Sequence, residues 1–126
     1  MKLGVAVLLA VFSAPALASE DWKALYQAGK LETPYKHFSA IADGVAGPGA
    51  VAHGGRPGPS WLGMRLWARS ADEATQMFRV FADQAGFAVK GKVEVFDTEP
   101  LEAPRDAPHF YGVRFTPYAV PKKKQP

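Results

Sequence analysis

The residues of this chain that could move a proton are three histidines, His37, His53 and His109, and one cluster of carboxylates, Asp97, Glu99, Glu102 and Asp106. A histidine works as a base or a metal ligand only when a partner group lies within reach. The three fall in separate segments, and no pair has a metal-binding spacing such as HExxH. The carboxylates occupy the stretch DTEPLEAPRD, residues 97–106. Paired carboxylates can hydrolyse a glycosidic bond when a groove holds them roughly 5 to 10 Å apart. Calcium needs about six to eight oxygens around a tight loop, and this stretch lacks the D-x-D-x-D-G rhythm and is stiffened by proline. It reads as a solvated loop that keeps strand edges from pairing with strangers. The arrangement that would make an enzyme is His109 with Asp97 or Glu99, brought together across a hairpin. No G-x-S-x-G elbow is present, and the absence of cysteine removes thiol catalysis, lipidation of an N-terminal cysteine, and cysteine-ligated zinc or iron–sulfur clusters. No metal and no cofactor is expected.

A second set of residues suits recognition better than reaction. Trp61, Arg65, Trp67, Arg69 and Arg114 combine large rigid apolar area with forked donors, the chemistry that dominates interface energetics. Trp61, Gly63, Arg65, Trp67 and Arg69 alternate with Leu62, Met64, Leu66 and Ala68, which is the period of a strand. Ser70 and Glu73 then form a capping box. Ala74, Met77, Phe78, Phe81, Ala82 and Ala85 trace one apolar helix face, and Gly86 closes it. Phe87, Val89, Val93 and Val95 begin a second alternating run, with Gly91 marking a bulge or bend. Residues 98–108 hold three prolines and form a loop. Tyr111, Val113 and Phe115 alternate with Phe110, Gly112 and Arg114 in a third strand.

Upstream, Trp22, Leu25 and Tyr26 predict a short helix stopped at Gly29. A second short helix is expected over residues 33–44, capped by Thr33, led by Pro34, and carrying Tyr35, Phe38 and Ile41 at three-residue intervals. Residues 44–60 contain six glycines and three prolines and are expected to be a mobile loop. They match neither the GK[ST] phosphate loop nor GxGxxG.

The fold class expected is therefore α+β. A β-α-β-β unit forms a small ferredoxin-like half plait with antiparallel sheet order 1-3-2, preceded by one or two short helices and the Gly/Pro-rich loop. The parts are a signal peptide at 1–18, a helical segment and loop at 19–60, the β-α-β-β domain at 61–118, and a basic tail at 119–126. In this layout Met77, Phe78 and Phe81 meet Leu66, Val93, Val113 and Phe115. The other face of the sheet carries Trp61, Arg65, Trp67 and Arg69 with Phe110, Arg114 and Tyr118. Either the N-terminal helix folds over that face or it is a contact surface.

The first eighteen residues, MKLGVAVLLAVFSAPALA, supply an address. Lys2 starts it, an apolar run from Leu3 to Phe12 follows, and Ala16-Leu17-Ala18 is a small-x-small cleavage signature. The run is too short to cross a ~30 Å hydrocarbon core. The whole chain carries +3. Lys2 leaves with the signal, however, and Lys122, Lys123 and Lys124 crowd the tail, so the folded body is close to neutral. A nucleic-acid binder concentrates positive charge on its folded surface, so no nucleic-acid partner is expected, and no membrane-spanning segment is expected in the mature chain.

The segment GMRLWARSADEATQMFRVFADQAGFAV, residues 63–89, resembles the first half of a SPOR domain, the small peptidoglycan-binding plait. The likeness lies in a strand, a Ser-led helix start, Ala74 within the helix and an Ala-Gly-aromatic exit at Ala85 to Phe87. It covers about a quarter of the chain. A SPOR domain continues with a second helix and a fourth strand, where here only residues 116–126 remain, so the resemblance implies no function. The reading that results is an exported, soluble, non-enzymatic binding or inhibitory module, an adaptor of a bacterial-type cell envelope, in the periplasm or outside the cell. Its expected partner is a protein or envelope component. The alternatives are a small enzyme built on His109, and a structural envelope protein that binds peptidoglycan or an anionic surface through its basic tail.

Overall fold

The computed structural model describes residues 21–119. The expected signal segment and the lysine-rich tail lie outside the described residues. The elements are α1 (Trp22–Gln27), β1 (Lys36–Ala46), a 3-10 turn (Pro48–His53), β2 (Gly58–Ala68), α2 (Ala71–Ala85), β3 (Phe87–Val89), β4 (Glu94–Asp97) and β5 (His109–Pro117). The protein is α+β, with five strands in one sheet and every pairing antiparallel.

Local signals act where expected in α2. The Ser70 hydroxyl accepts the Glu73 N–H at 3.1 Å, and the Glu73 carboxylate reaches back to the Arg69 N–H at 2.6 Å. Two otherwise unpaired donors at the helix start are thereby satisfied. Gly86 ends the helix at φ +76°, a conformation that a Cβ would strain. Ala74, Phe78, Phe81, Ala82 and Ala85 are buried, and Met77 packs beside them. α1 likewise stops before Gly29, at φ +72°, and buries Trp22.

Two expectations fail upstream. Residues 36–46 form an eleven-residue strand, not a helix. Tyr35, Phe38 and Ile41 do recur every three residues. The alternation that matters, however, is Phe38, Ala40, Ala42, Gly44 and Ala46, five buried positions on one face. Four of the five are Ala or Gly, whose weak hydrophobicity hides the strand period. Small residues are required there. A Cβ at Gly44 would collide with the Ala88 carbonyl oxygen and the Phe87 ring. Nor are residues 44–60 an unstructured loop. They finish β1, form the 3-10 turn and begin β2. Gly47 donates to the Gly86 carbonyl at 2.7 Å, and Ala50 and Gly55 are buried against the core.

The sheet order is β3-β1-β2-β5, with β4 also on β1, beyond β3. The expected 1-3-2 arrangement is not what forms. β1 lies between β2 and the β3–β4 edge, while β5 pairs with β2 on the far side. β1 and β2 are consecutive strands joined by residues 47–57 and match at eleven successive positions, and the closure entropy of such a loop grows only slowly with its length, so this pair takes the centre. β3 and β4 are two halves of one strand. Val89 faces Gly44 and Glu94 faces Ile41, so four residues, 90–93, span only Ala42 and Asp43. Gly91, at φ +87°, takes up the excess, as its position suggested.

α2 covers one face of the sheet. Phe38, Leu62, Met64, Leu66, Phe78, Phe81, Phe87 and Phe115 make the core, with Met77, Val93 and Val113 packed against it. Burying side chains such as Leu62, Leu66 and Phe78 contributes about 1.5–3 kcal/mol each. No helix among the described residues is long and apolar enough to cross a membrane.

Candidate functional site

The face of the sheet turned away from α2, here the outer face, can be read in rows because antiparallel partners point the same way. His37 pairs with Trp67 and Trp67 with His109; the next row is Phe96, Ser39, Arg65 and Tyr111. Then come Glu94, Ile41, Gly63 and Arg114, followed by Asp43, Trp61 and Thr116. A bulge sits in β5. Gly63 faces Arg114 but Arg65 faces Tyr111, so β5 uses an extra residue there, with Gly112 at φ +65°. The extra residue reverses the in–out parity of the first half of β5. Phe110, expected beside Arg114, therefore points to the α2 side and packs its ring on Phe81 at 5.2 Å. Tyr111 takes its place on the outer face.

One end of the outer face is covered. The loop of residues 98–108 crosses it and is pinned by hydrogen bonds from the sheet and from Tyr35, just before β1. The Trp67 indole N–H donates to the Glu102 carbonyl at 2.9 Å, and the Tyr35 hydroxyl donates to the Asp106 carbonyl at 3.0 Å. His37 lies at the centre. A carbonyl can only accept, so His37 Nδ1 carries the proton and donates to the Thr98 carbonyl at 2.9 Å. Nε2 is then the acceptor for the Tyr111 hydroxyl at 2.7 Å. That hydroxyl oxygen in turn accepts the N–H groups of Leu101 and Glu102, at 2.9 and 3.3 Å. Burial lowers the His37 pKa below the usual histidine value; the Thr98 carbonyl opposes this, and Arg65 and His109 add to it. Burial likewise raises the Tyr111 phenol. Both nitrogens of a neutral His37 are engaged, which makes the side chain a latch for the loop and leaves no free base.

The recognition residues proposed from sequence separate accordingly. Trp67 is 1% exposed, edge-on to His37 at 5.1 Å and to Tyr26 of α1 at 6.4 Å. It belongs to the interior beneath the loop. The N-terminal helix does reach this face, through Tyr26, but the loop of 98–108 supplies the hydrogen-bonded cover, which its reading as a solvated loop did not foresee. Arg69 lies past the end of β2. It forms an ion pair with Glu73 at 2.8 Å and its guanidinium sits 5.4 Å over the Tyr35 ring, so it braces the start of α2.

Trp61, Arg65 and Arg114 remain together at the uncovered end. Trp61 is 42% exposed, and Val45 and Phe96 on the same face are 44% and 51% exposed. Arg65 is half-buried, its guanidinium lying against Gly112 in the β5 bulge. Among the described residues neither Arg65 nor Arg114 has a carboxylate partner. Tyr118 borders the patch, its ring 6.4 Å from Trp61 and its hydroxyl bonded to the Asp43 carboxylate, which raises the phenol pKa. Val45, Phe96, Ile41 and Glu94 were not among the contact residues expected from sequence, where Ile41 was placed on a helix face. The alternation of Glu94 and Phe96 with Val93 and Val95 was the available signal for two of them.

Asp97 does not meet His109. Asp97 pairs with Phe38 at the β4 edge, and His109 lies at the opposite edge across β1 and β2. Its ring stacks on Tyr111 at 5.9 Å, and both buried ring nitrogens lack a hydrogen-bond partner. Burial, with Arg105 next, lowers its pKa. His53 ends the 3-10 turn, edge-on to Phe81 at 5.0 Å. Among the described residues no group of three or more acidic or histidine side chains could hold a metal ion. Comparison with protein families, with curated proteins and with solved structures found no match.

Proposed function

We propose that the chain is exported, is cut after Ala18, and works in the periplasm or outside the cell as a small non-catalytic binding or inhibitory module, an adaptor of the cell envelope. Its contact surface is the open end of the outer face, around Trp61, Arg65 and Arg114. One observation carries this reading. The same sheet face is sealed by a hydrogen-bonded loop at one end and left bare at the other, where Trp61 and Val45 stand exposed. Phe96 is exposed on the β4 edge two rows away, and two arginines without a carboxylate partner among the described residues lie between them. Exposed apolar groups left bare beside a sealed surface mark contact sites, and Trp and Arg are among the residue types enriched where binding energy concentrates.

A photoreactive amino acid at position 61 tests the surface directly. In living cells it should give covalent adducts, while the same group at Val51, which is also exposed but lies in the 3-10 turn, should give none. Equal labelling from both positions, or none from position 61, overturns the assignment. Mass spectrometry of the N-terminus tests export; an intact Met1 on cytosolic protein refutes it.

A further inference from the structure

We infer that the loop of 98–108 is an acid-released cover: a proton on His37 frees its Leu101–Glu102 segment and lengthens the bare part of the outer face toward Trp67. The release needs no partner; only its use in binding rests on the contact surface proposed above.

Polar contacts, more than packing, hold the loop down. Between residues 98 and 108 only Pro100 is buried, and Leu101 is 60% exposed. Segments that bury little apolar surface are the first to open locally. The loop joins the end of β4 at Asp97 to the start of β5 at His109, so it can lift without unpairing either strand.

Its hydrogen bonds converge on one oxygen. With His37 neutral, the Tyr111 hydroxyl donates to Nε2 and accepts the Leu101 and Glu102 N–H groups, so each proton has an acceptor. A protonated His37 carries N–H on both nitrogens. Nδ1 keeps the Thr98 carbonyl, but Nε2 turns from acceptor to donor. Three N–H groups then point at an oxygen with two lone pairs, and its own O–H has lost its acceptor. Burial raises the Tyr111 phenol pKa, so that proton stays. The crowding ends when the loop amides leave for water, since an unsatisfied buried donor costs its full desolvation. Glu102 couples this event to Trp67: its N–H is on Tyr111 and its carbonyl holds the indole N–H. Freeing Glu102 therefore uncovers Trp67.

The charges around the ring favour the same outcome. Arg65 on β2 and His109 on β5 oppose a proton on His37, and Lys36 flanks it on β1. Tyr26 on α1, Asp97 on β4 and Glu99 in the loop line the same open cavity, and both of these carboxylates are exposed and screened by water. Glu102, also in the loop, is exposed and pairs with Arg105 at 3.7 Å. Among the described residues no carboxylate forms an ion pair with His37. Lifting the loop admits water to the ring, so the proton binds the open form better and acid shifts the population toward it.

Hydrogen exchange followed by NMR on the purified mature chain is the test, run between about pH 7.5 and about pH 5, on either side of the ordinary histidine pKa. Corrected for intrinsic rates, protection at the Leu101 and Glu102 amides and the Trp67 indole N–H should fall by up to about tenfold per pH unit once the His37 ring shifts report protonation. The amides of the β1–β2 pair should keep theirs. Tyr111→Phe removes the shared acceptor and should give the open loop at both ends of the range with the sheet intact. His37→Gln should abolish the response, and His109→Gln should leave it in place. Loop amides that stay protected while His37 titrates overturn the inference. So does a loop that opens only together with β1 and β2, or a response that survives His37→Gln. Release without adducts from position 61 would leave the cover standing and remove the contact surface; adducts without release would do the converse.

Discussion

Replacing Trp67 by alanine separates a core side chain from a contact residue, and the structure gives the magnitude. The indole is 1% exposed and sits between His37, Tyr26 and the loop of 98–108, with its N–H on the Glu102 carbonyl. A tryptophan side chain buries roughly 200 Å², which at about 25 cal/mol per Å² gives about 5 kcal/mol of transfer free energy. Denatured chains already hide part of that area, which brings the figure down to about 3–4.5 kcal/mol. The cavity left behind adds to the loss, so about 3–5 kcal/mol is expected, as for other emptied aromatic sites. Losing the hydrogen bond itself adds little, because Glu102 is exposed and water can reach its carbonyl. For a domain of this size the change should lower Tm by roughly 12–30 °C. Trp61→Ala, removing a half-exposed ring, should cost less than about 1 kcal/mol. Thermal and urea melts of both variants beside the wild type make the measurement. Hydrogen exchange at the Leu101 and Glu102 amides should accelerate in Trp67→Ala, since the loop loses its floor. A Trp67→Ala protein that melts within a few degrees of wild type would refute the placement of this ring in the interior.

Three further outcomes follow from particular contacts. His37 has a pKa below its unfolded value of about 6.5, so the unfolded chain takes up the proton first; stability should be full above that pH and fall as acid is added, and His37→Gln should flatten the urea midpoint against pH over that window, with His109 leaving a residual slope of the same sign. Gly44→Ala should destabilise by roughly 1–3 kcal/mol or more, because the added methyl meets the Ala88 carbonyl and the Phe87 ring and must push β3 away from β1; a melt unchanged from wild type would contradict that close approach. Ser70→Ala should cost about 1 kcal/mol, read as a lower midpoint with the same slope in urea.

Much of the α2 region was legible because its signals are local. The Ser70–Glu73 box, the apolar stripe from Ala74 to Ala85, and Gly86 each act within a turn or two of chain. The bend at Gly91 was legible for the same reason. β1 was not, since a strand face built from Ala40, Ala42, Gly44 and Ala46 carries too little hydrophobic contrast to show its period. Only the neighbours of that face, the Phe87 ring and the backbone of β3, explain why it must be small. The candidate site was legible in part. Residue type drew attention to Trp61, Arg65, Trp67, Arg69 and Arg114, but type is the same for a tryptophan under a loop and one facing water.

The sequence by itself determined an α+β chain, the position and caps of its long helix, the strand period of β2, and the absence of any thiol chemistry. Tertiary structure alone decided the order of the strands, because pairing depends on which segments meet in space and on the entropy of closing the chain between them. It also decided which end of the outer face is bare. Two non-local facts set that outcome: one extra residue in β5 at Gly112 turns Tyr111 outward and Phe110 inward, and Tyr111 with His37 and Trp67 then holds a distant loop over half the sheet.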